Sequence, residues 1–60
     1  MNYLVTFHDA DTNMTALVYE SDRGGFAVAL RDDDSGKIVP CSIHGIETLD
    51  AAIAKAKEAL

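Results

Sequence analysis

The sequence predicts an α+β fold: an antiparallel β-meander of three to four strands, with one C-terminal α-helix packed on one face. Three observations carry this. Apolar residues alternate in short runs through the first two thirds of the chain, the period of half-buried strands. Polar clusters holding glycine, aspartate and serine separate those runs and read as turns. From Leu49 onward the apolar period changes to that of a helix. The 60 residues make a single domain, 1–60, without linker, repeat or low-complexity tract.

Residues 3–8, YLVTFH, form the first predicted strand, with Tyr3, Val5 and Phe7 on one face and Leu4, Thr6 and His8 on the other. The loop Asp9-Ala10-Asp11-Thr12-Asn13 leads to a second strand over 14–20, MTALVYE. Ser21 to Gly25 is a turn, because the paired glycines reach positive φ at little cost. Residues 26–31, FAVALR, alternate cleanly, with Phe26, Val28 and Leu30 facing one way. A second turn at Asp-Asp-Asp-Ser-Gly precedes a fourth strand over 37–43, KIVPCSI. Pro40 cannot donate to a ladder, which makes that strand an edge or breaks it. Thr48 is the expected N-cap of the helix, and Leu49, Ala52, Ile53, Ala56 and Leu60 form its apolar stripe. Such a short alanine-rich helix is marginal alone and must pack on the sheet, over Val5, Phe7, Phe26, Val28 and Leu30. The other face shows Leu4, Leu17, Tyr19, Ala27 and Ala29, an apolar set that sheet curvature must hide or a partner or second copy must cover.

In a meander the first and third connections lie at the same end of the sheet. Asp9 and Asp11 therefore join Asp32, Asp33 and Asp34 there, with Arg31 and Lys37 nearby. A hairpin turn needs one or two of the three consecutive aspartates, and the surplus charge makes this end a candidate contact for a basic partner. The formal net charge of −5 argues against direct binding to nucleic acid, which rests on cationic contacts to phosphate. Asp9, Asp11, Asn13 and Glu20 match oxygen positions of a calcium loop, but Met14 stands where its sharp turn needs glycine. Cys41, His44 and His8 are too few and wrongly spaced for structural zinc. A Cys/His dyad would also need a cleft and an oxyanion site, which a domain this small scarcely offers. The expectation is a protein that is not an enzyme and takes no cofactor and no metal. The single cysteine excludes an intrachain disulfide and fits a reducing cytoplasm. No apolar run is long enough to cross a membrane, and the N-terminus shows no signal-peptide pattern.

Two resemblances extend this reading. DRGGFAVALR at 22–31, His44-Gly45 and TLDAAIAKAKEAL at 48–60 resemble the small HicB-like antitoxin domain. That resemblance implies neutralisation of an RNA-binding toxin. As a class, a tiny acidic domain without a catalytic constellation looks like phage-encoded anti-CRISPR and anti-restriction inhibitors. That resemblance implies a cytoplasmic protein of a bacterial host cell, acting as a monomer or homodimer. It would bind a basic surface of a CRISPR-Cas or restriction complex and block DNA binding, in the manner of a DNA mimic. The contact residues would be Asp32, Asp33 and Asp34, helped by Asp9 and Asp11. A third reading is a protein-interaction module that works through the apolar sheet face at Leu17 and Tyr19.

Overall fold

The computed structural model describes residues 3–40 and 45–60. Its strands are β1 (Tyr3–Asp9), β2 (Met14–Glu20), β3 (Phe26–Asp32) and β4 (Ile38–Pro40), followed by helix α1 (Leu49–Ala59). The strands form one antiparallel sheet in the order β1-β2-β3-β4, which is the predicted meander. Of the predicted strand over 37–43, Ile38–Pro40 is strand and Lys37 precedes it, while residues 41–43, Cys41 among them, and His44 lie outside the described residues. β4 is an edge, as Pro40 requires.

The helix covers the face that alternation predicts. Ala16, Val18, Val28, Ala52 and Ala56 are the buried core on this side. Val5, Phe7, Phe26, Leu30, Ile46, Leu49 and Leu60 pack around it. Thr48 holds extended backbone geometry, and its hydroxyl accepts a hydrogen bond from the Ala51 N–H at 3.2 Å. Lys57, in the last turn, extends its ammonium over the Phe7 ring, 5.3 Å from the centroid.

A separate bridge ties the approach to the helix into the sheet. The Phe26 N–H donates to the Ile46 carbonyl at 2.8 Å, and the Ile46 N–H donates back to Phe26 at 3.2 Å. Gly25 makes this approach possible. A Cβ at Gly25, whose φ is +72°, would stand 2.7 Å from the Ile46 carbonyl oxygen.

The opposite face bears on expectation at two points. Regular alternation groups Tyr3 with Val5, but the β1–β2 register shifts between them. Tyr3 thereby lies opposite Tyr19, and the two rings meet edge to face with centroids 6.3 Å apart. The second concerns Leu17, Ala27 and Ala29, which sheet curvature was expected to hide or a partner or second copy to cover. They are 0%, 1% and 3% exposed, so they are interior residues of this chain. The exposed large apolar side chains among the described residues are Tyr3, Leu4, Ile38 and Val39, all on the two edge strands.

Candidate functional site: an acidic tip closed by its own hydrogen bonds

The β1–β2 and β3–β4 loops do lie side by side, as the meander topology demands. The Asp33 N–H donates to the Asn13 carbonyl at 3.1 Å, and the Asn13 side-chain amide donates to Asp34 Oδ1 at 2.7 Å. Asn13 reaches both because its φ is +54°, a left-handed conformation that asparagine tolerates better than most residues. The five predicted carboxylates therefore sit at one end of the sheet, Asp9 and Asp32 at the ends of β1 and β3 and Asp11, Asp33 and Asp34 on the two loops, which contact each other directly.

Most of these carboxylates first serve the local fold. Asp9 accepts from the Asp11 N–H and the Thr12 hydroxyl, each at 3.1 Å. Asp32 accepts from the Asp34 N–H at 3.0 Å, while its backbone closes the turn with Lys37 at 2.8 Å and with Gly36. These bonds explain why turn sequences favour aspartate: its carboxylate substitutes for a missing backbone acceptor.

Asp33 does more. Its Oδ2 accepts from the Thr15 hydroxyl at 2.6 Å and from His8 Nδ1 at 2.9 Å, and its Oδ1 accepts from Arg31 Nε at 2.8 Å. An ionised carboxylate only accepts, so the imidazole proton facing it belongs on Nδ1. His8, Thr15 and Arg31 are register neighbours across β1, β2 and β3, so one side chain binds three strands. The Asp33 side chain is 19% exposed, whereas the His8 side chain is 51% exposed. The Thr15 hydrogen bond, followed by the Arg31 bond and charge and the His8 bond, holds the Asp33 carboxyl below its ordinary value, against an opposing contribution from desolvation. Thr15 is the one buried polar residue among those described, and its donation to Asp33 is what makes that burial tolerable.

The exposed charge of the tip thus falls to Asp11 and Asp34, with Asp9 and Asp32 half-buried beside them. Sequence reasoning weighed Asn13 only as a calcium-loop oxygen and His8 only as a zinc or thiol-enzyme residue, and did not single out Thr15. The available signal was a row of polar residues, His8, Thr15 and Arg31, at matching positions of three otherwise apolar strands. Among the described residues no group of three or more His, Cys, Asp or Glu side chains is arranged to hold a metal ion. Among the described residues no helix is long and apolar enough to cross a membrane. In comparisons with family models, curated proteins and solved structures, nothing matches this chain.

Proposed function

We propose that this chain is a non-enzymatic acidic inhibitor whose tip binds a basic surface of a bacterial nucleic-acid-binding complex, of the CRISPR-Cas or restriction type, and excludes DNA from it. The observation that supports this reading is the pair of bonds at Asn13, one accepted from the Asp33 N–H and one donated to Asp34, which joins two acidic loops into one surface. Carboxylates held in place before binding lose little conformational entropy when they meet cationic side chains. They can then replace phosphates in a basic groove and release the same counterions. Asp11 and Asp34 are the outward contacts in this scheme, Asp9 and Asp32 flank them, and Asp33 holds the tip together. The same chemistry would serve the alternative reading, neutralisation of an RNA-binding toxin, which rests on the resemblance of residues 22–31 and 48–60 to HicB-like domains.

The test uses tagged wild type and an Asp11→Asn/Asp34→Asn variant, which keeps an acceptor for Asn13. Each is used to capture proteins from bacterial lysate at low and at high salt, and the captured complex is then assayed for DNA binding. The expected result is a nucleic-acid-binding protein retained by wild type at low salt, released by high salt, and unable to bind DNA while occupied. Its affinity for the variant should fall roughly tenfold. Equal, salt-insensitive capture by both proteins would remove the tip from the mechanism.

A further inference from the structure

The two edges of the sheet are not alike. β4 has three residues and ends in Pro40, which has no N–H to offer, and the outer side of β3 beyond it is taken up by the Ile46 bridge at Phe26. β1 is an edge of seven residues, YLVTFHD, with no proline, glycine, lysine or arginine. Exposed strands of this length are ordinarily blunted by such residues, by bulges or by a covering segment. The register shift near Leu4 does this at one end only, leaving Val5 to Asp9 in regular register with β2. Tyr3 and Leu4, two of the four exposed large apolar residues described, lie on this strand.

We propose that β1 pairs antiparallel with β1 of a second copy, centred on Thr6, to make a continuous eight-stranded sheet. The sequence of β1 is complementary to itself in this register. Val5 stands opposite Phe7 of the other copy on the helix-covered face, and both are only partly buried in the single chain. Thr6 meets its own equivalent, and Leu4 meets His8. The register shift at Leu4 ends the regular pairing there, so Asp9 has no carboxylate of the partner strand opposite it and no like charges confront each other along the strand. The helix packs mainly over β2 and β3, which leaves the β1 margin open for these cross-strand pairs. Charge selects the antiparallel direction. A parallel pair would set the two acidic tips side by side. The antiparallel pair separates them by about 20 Å, the length of the strand, which exceeds the roughly 8 Å screening distance at physiological ionic strength.

Sedimentation analysis across a concentration series, together with cross-linking, tests the proposal. Wild type should pass from monomer to dimer as concentration rises. Thr6→Lys places two ammonium groups opposite each other at the centre, while Thr6 is exposed in the single chain and tolerates the change. The variant should keep the wild-type circular dichroism and raise the dimer dissociation constant about fivefold or more. Thr6→Cys in a Cys41→Ser background should form a disulfide-linked dimer under mild oxidation, because residues opposite each other in an antiparallel pair lie within disulfide reach. A denaturant should prevent that cross-link. A wild type that stays monomeric at every concentration overturns the proposal and leaves the edge free or assigned to another chain. A dimer equally stable in Thr6→Lys, or a folded Thr6→Cys protein that does not cross-link, also overturns it.

Discussion

Asp33 shows how little of a residue's role is fixed by its neighbours in sequence. As the middle of three aspartates it looks like surplus turn charge, yet it carries bonds from β1, β2 and β3 at once. Because its folded-state pKa lies below the ordinary 3.8, the unfolded chain binds more protons than the folded one just below that pH. The contribution of Asp33 to stability is therefore complete above the unfolded value. It is lost as pH falls through the folded one. Replacing Thr15 with Val removes the leading cause of that shift. The variant should lose about 1–2 kcal/mol in denaturant titrations at neutral pH. The difference from wild type should shrink as the solution is acidified below the ordinary carboxylate range. A Thr15→Val protein as stable as wild type at neutral pH would mean that solvent satisfies Asp33 equally well. The sequence revealed that these aspartates would gather, since a meander places alternate loops together. It did not reveal that Asp33 turns inward, because that depends on the cross-strand register aligning His8, Thr15 and Arg31.

At the scale of elements, strand and helix patterning was legible where one face is apolar and the other is not. FAVALR alternates cleanly, and its Phe26, Val28 and Leu30 do meet the helix. The helix cap at Thr48 was legible because capping is local chemistry. The placement of Tyr3 was not, because a bulge arises from how β1 meets β2, and β1 alone carries no sign of it. For the apolar residues Leu17, Ala27 and Ala29 the sequence left open whether the fold or a partner hides them, and the single chain does so. Gly25 belongs between the two cases: a paired glycine marks a turn, but only the Ile46 bridge explains why this one has no room for a side chain. Gly25→Ala should cost roughly 1–3 kcal/mol, since positive φ and a crowded carbonyl both oppose the methyl group. Gly24→Ala meets no atom within 4 Å and suffers only the strain of its φ of +92°, so it should be the milder change. Thermal melts of the two variants give the comparison, and a Gly24 variant that melts lower than the Gly25 variant would contradict it.

Over the whole molecule, protection is concentrated in the middle of the sheet. Ala16, Leu17 and Val18 on β2, with Ala27, Val28 and Ala29 on β3, are buried on both faces. Their amides should exchange with deuterium most slowly, while β4 and the two loops of the acidic tip exchange sooner. Fast exchange in β2 would place the cooperative core elsewhere. The blocked β4 edge has a further consequence, for stoichiometry. A sheet with two open edges can recruit copies without end, each addition leaving a fresh edge for the next. Here Pro40 and the three-residue length of β4 remove one of those edges. Among the described residues β4 thus offers a shorter and poorer edge than β1, so recruitment at β1 leaves behind no edge as long as the one it used.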